Sequence, residues 1–213
     1  MKKMMLVLIA GVLFSCQTSK ITDSWTAKDN IPKYFNKILV LGVLKDIDRD
    51  LQSKMEKHLA GDLKEMGYQA YAASEIYPPG TFVRGDTARA IKAMNEKEFD
   101  AVLTIVLLNK EKERYYVPGR VVYTPYVTIH NRFDRYYYIM YDRIYSEGYY
   151  ATDTKYFWES NFYDIGAKKM IYSAQTQSFD PGSKENLAHS YGMLIAENLE
   201  KSGIILKSEP RGF

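Results

Sequence analysis

Apolar positions in the first half of the chain follow the pattern of strands alternating with helices. Continuous apolar runs at 37–44 and 100–108, with a shorter run at 68–72, are typical of strands that are covered on both faces. Between 47 and 63 an apolar residue recurs at every fourth position, which predicts a helix with one face in the core. Gly67 follows at the position where glycine ends many helices.

A second helix is predicted before the third strand. Asp86 is a favourable N-cap residue, and the helix is expected to run to Asn95 with Ile91 and Met94 facing the core. Strand, helix, strand, helix and strand in this order predict right-handed crossovers and a parallel sheet.

The second half of the chain has the pattern of an antiparallel sheet followed by a helix. Residues 155–163 alternate between two faces, and a turn at 164–167 joins them to a partner strand at 169–179, which predicts a hairpin. Ser183 is expected to cap a final helix that ends at Gly203. Further strands are expected at 136–145, where tyrosines are dense, and at 204–206, as a short edge strand.

Together these elements predict an α/β fold, with one three-layer domain over 37–207. Its mixed sheet is expected to have a parallel core from the first three strands, an antiparallel C-terminal extension, and helices on both faces. The polar segment 16–36 is expected to be a flexible tether, which would be shorter if Trp25 docks on the domain. Residues 208–213 are expected to form a C-terminal tail.

The N-terminus has the pattern of a bacterial export signal over residues 1–15. Lys2 and Lys3 precede an apolar core that is too short for a membrane-spanning helix of about 20 residues and is typical of a signal peptide. The sequence Leu-Phe-Ser-Cys that ends at Cys16 resembles the lipobox of bacterial lipoproteins. That resemblance implies that Cys16 carries acyl chains such as palmitate and anchors the protein in a membrane.

Gln17 stands where an aspartate would retain a lipoprotein in the inner membrane. The expected location is therefore the outer membrane, and either the periplasmic or the exterior face is compatible with the sequence.

Composition narrows the possible functions. Without Lys2 and Lys3 the 29 basic residues fall to 27, against 26 acidic ones, so the mature chain is nearly neutral and nucleic-acid binding is not expected. Cys16 is the only cysteine, so acylation leaves no thiol for a disulfide or for nucleophilic catalysis. No nucleophile elbow or glycine-rich phosphate loop occurs. The sequence therefore predicts no catalytic residue, no metal and no cofactor.

Three groups of residues are weaker candidates for a functional site, and each also has a purely structural explanation. His58 and Asp62 share one helix face, but nothing in the sequence brings His189 near them, and a zinc site needs three or four ligands. A packed, hydrogen-bonded histidine is therefore favoured. Arg84 precedes a helix N-terminus that could bind a small anion, with a solvated loop as the alternative. Carboxylates near tyrosines could cleave a glycan or be ordinary surface charges: Glu147, Asp153, Glu159 and Asp164.

Tyrosine is the most promising residue type for function. The chain has 19 tyrosines, and 12 of them lie between 114 and 156. Tyrosine and arginine are enriched at protein interfaces, whereas tyrosines paired across strands would only hold a sheet together. A turn-rich stretch within this segment is expected to be exposed and to bind a partner. Its predicted binding residues are Tyr115, Tyr116, Arg120, Tyr123, Tyr126 and Arg132.

Two long stretches carry the strand ends, turns and hairpin of a known group of proteins. The first, 37–79, includes Arg49 and Glu56 on its helix, and the second, 158–186, includes Asn-Phe-Tyr-Asp at 161–164. Both resemble a group of uncharacterised bacterial envelope lipoproteins, which are similar in fold to the penicillin-binding-protein activator lipoproteins and to the N-terminal region of curli-secretion lipoproteins. The resemblance implies a tethered α/β domain that acts through envelope partners, and it supplies no catalytic residue.

The predicted function is that of a non-enzymatic outer-membrane lipoprotein that binds an envelope protein and supports its assembly or activity. The alternative is a lipoprotein that binds, or cleaves, a cell-wall or surface glycan by stacking tyrosines on sugar rings. Self-assembly into a ring is a third possibility, and the sequence leaves the oligomeric state open.

Overall fold

The computed structural model describes residues 19–29, 31–44, 48–82, 85–119 and 147–206. The chain divides into two compact units: unit 1 comprises Met1–Asn109 and Tyr156–Phe213, and unit 2 comprises Lys110–Lys155. The single domain that the sequence predicts over 37–207 stays a prediction. The predicted strand at 136–145 and the tail at 208–213 lie outside the described residues.

Within the described ranges, six strands form one sheet in the order β1-β7-β6-β5-β3-β4, and two short strands, β2 and β8, form a parallel pair. The strands are β1 (Ser19–Thr26), β2 (Lys33–Tyr34), β3 (Ile38–Val43), β4 (Ala70–Ala72), β5 (Ala101–Val117), β6 (Tyr149–Asp164), β7 (Lys169–Phe179) and β8 (Ile205–Leu206). The helices are α1 (Arg49–Glu65), α2 (Ala73–Ile76), α3 (Thr87–Glu96) and α4 (Lys184–Ser202).

The sheet is mixed, as predicted. Strand β3 pairs in parallel with β4 on one side and with β5 on the other, so the first three predicted strands do form a parallel core. The hydroxyl of Thr104 donates to the carbonyl of Asn161 at 3.3 Å, and the amide of Ile165 donates to the carbonyl of Asp100 at 3.0 Å. These contacts advance in opposite directions along β5 and β6, which makes that pair antiparallel.

Two apolar cores cover the two faces of the sheet in unit 1. One face packs against α1 and α4 through fully buried side chains such as Leu59 and Tyr191, and Trp158 and Phe162 reach this core from β6. The other face packs against α2 and α3 through Leu39, Tyr77, Met94, Phe99 and Val102. The predicted fold class, with helices on both faces and two-faced alternation in β6, is confirmed.

Helix α1 follows directly from its sequence pattern. The carboxylate of Asp48 accepts the amide of Leu51 at 3.1 Å and so caps the helix. Residues at four-residue spacing then point into the core, and these are Leu51, Met55, Leu59 and Leu63. Gly67 follows with a φ of 90°, a left-handed conformation that glycine adopts without steric cost.

Helices α3 and α4 begin where their predicted N-caps lie. Asp86 accepts the amide of Arg89 and Ser183 accepts the amide of Asn186. The prediction that Ile91 faces the core is wrong, because its side chain is 39% exposed. Met94 is the only fully buried side chain that the structure shows on α3, and the neighbouring Ala93 is partly buried against the same core.

The flexible tether predicted over 16–36 is replaced, from residue 19 onward, by ordered structure. Strand β1 pairs antiparallel with β7 at the edge of the sheet. The buried hydroxyl of Ser19 lies 2.7 Å from the hydroxyl of Ser178 and 3.1 Å from that of Ser190. A polar segment can occupy this edge because main-chain hydrogen bonds, which need no apolar side chains, hold it there.

Candidate functional site

The predicted binding residues that the structure describes are exposed tyrosines on a long strand. Tyr115 and Tyr116 lie on β5, a 17-residue strand, and not in the turn-rich loop that the sequence predicts. They extend the strand because aromatic residues favour the pleated backbone. Both are exposed, as predicted. The remaining predicted binding residues, Arg120, Tyr123, Tyr126 and Arg132, and the lipidation residue Cys16, lie outside the described residues.

In unit 2 the described parts of β5 and β6 contact each other in a simple alternating pattern. Arg114 and Tyr116 both contact Tyr150, whereas Tyr115 contacts Asp153. Successive side chains of a strand point to opposite faces, so even-numbered residues share one face and odd-numbered residues share the other. We term this pair of strand segments, 110–117 and 149–155, the ribbon.

The even-numbered face of the ribbon is aromatic and positively charged. The guanidinium carbon of Arg114 lies 4.3 Å from the centre of the Tyr150 ring, which is a cation–π contact. The rings of Tyr116 and Tyr150 have centres 5.3 Å apart and planes at 59°. Lys112 is on this face by alternation, and all four side chains are exposed. We term Lys112, Arg114, Tyr116 and Tyr150 the cationic face.

The absence of a side chain at Gly148 leaves the space that the Tyr116 side chain occupies. A Cβ atom at residue 148 would lie 2.0 Å from the hydroxyl oxygen of Tyr116 and 2.9 Å from the carbonyl oxygen of Val117. The hydroxyl end of Tyr116 therefore occupies the space that a side chain at residue 148 would fill. Neither Gly148 nor Tyr150 is among the predicted binding residues, because their approach to Tyr116 and Arg114 depends on the register between β5 and β6.

On the odd-numbered face, which we term the opposite face, most charged groups are carboxylates, and Lys155 pairs with one of them. The ammonium group of Lys155 lies 2.6 Å from a carboxylate oxygen of Glu113, and the hydroxyl of Tyr115 donates to Asp153 at 3.4 Å. The hydrogen bond from Lys155 lowers the pKa of Glu113, and the same bond raises the pKa of Lys155. The two faces of the ribbon therefore offer different chemistry to a partner.

A second constellation lies in unit 1, where α1 and α4 pack together. The rings of His58 and His189 meet edge to face with centres 5.7 Å apart, and His58 Nε2 lies 2.6 Å from Glu185 Oε1. Nothing in the sequence indicates this pair, which forms because α4 packs against α1 at this point. The favoured interpretation of His58, a packed and hydrogen-bonded histidine, is confirmed.

Asp62 lies at the bottom of the same groove, which has a volume of about 540 Å³ and is also lined by Lys57, Glu65 and Met193. Its Oδ2 atom is buried and has no hydrogen-bond partner within the described structure. Burial raises the pKa of Asp62, although the nearby His189 and His58 oppose the shift. In the described part of the chain, no group of three or more histidine, cysteine, aspartate or glutamate side chains could hold a metal ion.

We expect Asp62→Asn to be more stable than the native protein at neutral pH, because the amide removes the cost of burying a charge. The raised pKa means that the folded state binds the proton first, so the native protein loses stability as pH rises through the folded pKa. The difference should shrink as pH falls below the unfolded pKa of about 3.9. Urea unfolding from about pH 8 to about pH 3 measures it. Asp50→Asn is the control, since Asp50 is exposed on the same helix, and an equal response of both variants would contradict the assignment.

The other carboxylates considered for glycan cleavage in unit 1 are engaged in structural contacts. Asp164 forms an ion pair with Lys33 and accepts the amide of Ala167 at 3.0 Å. Burial would raise the pKa of Asp164, but the Lys33 and backbone hydrogen bonds outweigh it and the pKa is lowered. Glu159 accepts a hydrogen bond from the side-chain amide of Asn161 at 2.8 Å. Arg84, considered for anion binding, lies outside the described residues.

Glu56 lies near the carboxyl end of β3, where its carboxylate accepts hydrogen bonds from three elements of the fold. Its Oε1 atom accepts the amide of Gly42 at 2.8 Å and the side chain of Gln52 at 2.9 Å, and its Oε2 atom accepts the amide of Ser74 at 2.7 Å. The side chain is completely buried. Glu56 therefore joins β3, α1 and the start of α2.

No family model matches the sequence, and no curated protein matches it. Among solved structures, a PelC dodecamer from Paraburkholderia phytofirmans is 10% identical, with a TM-score of 0.47 over 84% of this chain and 95% of that chain. The lipoprotein GNA1162 from Neisseria meningitidis is 16% identical, with a TM-score of 0.41 over 78% and 96%. A hemagglutinin homolog from Helicobacter pylori is 13% identical, with a TM-score of 0.36 over 81% and 89%.

These proteins have a distant likeness of fold to this chain, and at such values the likeness carries no conclusion about its function. The expected similarity to the penicillin-binding-protein activators and to the curli-secretion lipoproteins stays a prediction. In the described ranges, no helix combines the length and the apolarity that crossing a membrane requires.

Proposed function

We propose that this chain is a non-enzymatic, lipid-anchored protein of the bacterial envelope that binds a protein partner through the ribbon. The observation that carries the proposal is the cluster of exposed aromatic and arginine side chains there: Tyr116 and Tyr150 are 56% and 62% exposed and meet Arg114. Tyrosine and arginine are the residue types that contribute most often to binding energy at protein interfaces. They also lose little conformational freedom here, because Gly148 and the ring contacts already hold them.

A glycan partner fits the same surface less well. Sugar rings in an extended chain stack on aromatic side chains that present parallel faces. The planes of Tyr116 and Tyr150 differ by 59°, so two successive sugar rings cannot both lie flat on them. The tilt favours a protein surface, whose side chains can meet the two rings at different angles.

The lipid anchor is proposed at Cys16, in the outer membrane. Ser19, the first residue of β1, stands three positions after Cys16, and three residues span at most about 10 Å. An acylated Cys16 would therefore hold unit 1 close to the membrane surface, which limits the partner to proteins at the same membrane.

Replacing Tyr115, Tyr116, Tyr123 and Tyr126 by alanine is expected to abolish capture of the partner while the protein stays folded. Tyr115 and Tyr116 are exposed, and the sequence predicts the same of Tyr123 and Tyr126. The loss follows because tyrosine is enriched among the few side chains that dominate binding energy at interfaces. Crosslinking of the lipidated protein in cells, followed by purification and mass spectrometry, measures the capture of one dominant envelope protein.

The control is Tyr34→Ala, since Tyr34 is an exposed tyrosine of unit 1. It should leave capture unchanged. Full capture by the quadruple variant would show that these four tyrosines do not form the interface, and absence of any dominant protein in the native sample would refute a protein partner.

A further inference from the structure

The cationic face differs from the opposite face in the sign of its charge. At even-numbered positions the described part of the ribbon carries Lys110, Lys112 and Arg114 and no carboxylate. At odd-numbered positions it carries Glu111, Glu113 and Asp153 together with Lys155. Acidic side chains are thus confined to one side of the ribbon, so an anionic partner meets net attraction only on the cationic face.

We propose that the cationic face binds an extended acidic segment of the protein partner, one that carries aspartate or glutamate at alternate positions. The inference rests on the proposed function and adds the chemistry of the partner to it. Arg114 is the central group, because a guanidinium that lies over an aromatic ring still presents its N–H edge to a carboxylate. Such a pair forms two parallel charge-assisted hydrogen bonds.

The spacing along β5 matches an extended peptide. Lys112 and Arg114 are two residues apart on one face of a strand, a distance of about 6.6 Å. Alternate side chains of an extended polypeptide have the same repeat, so two carboxylates of a segment aligned with β5 can face both cations. Tyr116, fixed over Gly148, and Tyr150 then offer apolar surface to the residues between and beyond the carboxylates.

The test uses the full-length lipidated protein in detergent micelles and two fluorescent anionic probes, poly-L-glutamate and polygalacturonate of similar length. Fluorescence anisotropy is recorded in about 50 mM and about 300 mM NaCl, because screening weakens contacts between exposed charges. We expect poly-L-glutamate to bind at the lower salt concentration and polygalacturonate to bind more weakly. Arg114→Gln should reduce poly-L-glutamate affinity by about tenfold or more, as expected for the loss of a charge-assisted pair.

Lys155→Gln is the matched control, because it removes the same charge from the opposite face of the ribbon. Its affinity for poly-L-glutamate should remain within about twofold of the native value. Equal losses in Arg114→Gln and Lys155→Gln would mean that net charge, and not the cationic face, governs binding, and would overturn the proposal. Preferential binding of polygalacturonate, or binding of neither probe, would also overturn it.

The failure of this inference can be separated from the failure of the proposed function. If crosslinking captures one envelope partner through the tyrosines but Arg114→Gln leaves both capture and probe binding intact, the protein partner stands and its acidic chemistry is refuted. If cells yield no partner, the proposed function itself fails, whatever the probes show.

Discussion

Replacing Glu56 by alanine is expected to lower the free energy of unfolding by about 3 kcal/mol or more. The side chain is fully buried and accepts the backbone amides of Gly42 and Ser74 as well as the side chain of Gln52. Alanine leaves the buried amide of Gly42 without an acceptor, and a buried donor without a partner costs about 1–3 kcal/mol. It also removes the acceptor of the part-buried Ser74 amide, which water can replace only in part. The loss of packed volume adds to this cost.

Urea unfolding followed by circular dichroism measures the effect on the full chain. Glu75→Ala is the control, because Glu75 is a half-exposed partner of Lys57 at 3.6 Å and an exposed ion pair contributes at most about 1 kcal/mol. Glu56→Gln should lie between the native protein and Glu56→Ala, since its single carbonyl oxygen can still accept one of the two amides. A change of less than about 1 kcal/mol in Glu56→Ala would contradict the role assigned to this carboxylate.

Alanine at Gly192 is expected to destabilise the protein by about 1–3 kcal/mol, because it overpacks the crossing of α1 and α4. A Cβ atom there would lie 2.3 Å from Asp62 Oδ2, 3.1 Å from the amide nitrogen of Leu59 and 3.2 Å from the carbonyl carbon of His58. Two of these neighbours are backbone atoms of a packed helix, so relief requires α1 and α4 to separate by a few tenths of an ångström.

Gly61 supplies a matched control on the facing helix. A Cβ atom at Gly61 would meet nothing within 4 Å, so Gly61→Ala should stabilise the protein by about 0.5–1 kcal/mol through its helix propensity alone. Thermal or urea unfolding of both variants measures the two changes in the free energy of unfolding, which should have opposite signs. If Gly192→Ala were as stable as Gly61→Ala, the close approach of the two helices at Gly192 would be refuted.

The periodicity of the sequence was sufficient to predict the main secondary-structure elements of unit 1. A four-residue apolar repeat with the Asp48 cap specifies α1, and the alternation of Trp158 and Phe162 with polar residues specifies β6 and its buried face. These predictions succeeded because the burial of apolar surface is the dominant favourable contribution to folding. That burial requires apolar residues at regular spacings within each element, and these spacings can be read from the sequence.

Strand β1 was not predicted because its contribution to the fold is not local. Its side chains are mostly polar, and what holds it is the backbone of β7, more than 140 residues later in the chain. The burial of Ser19 against Ser178 and Ser190 likewise depends on partners that only the fold brings together. Backbone hydrogen bonds do not require particular side chains, so they cannot be recognised from hydropathy. The polar side chains of this segment therefore indicated a tether.

For the candidate site, the sequence by itself determined the residue types and their density: the tyrosines, the arginines among them, and the lipobox at Cys16. Only the tertiary structure decided that Arg114, Tyr116 and Tyr150 share one face while Glu113, Asp153 and Lys155 share the other. The tertiary structure likewise brought His189 to His58 and Asp62. The physical reason is that which side chains meet depends on cross-strand register and on helix crossing, and both are set by contacts between segments distant in sequence.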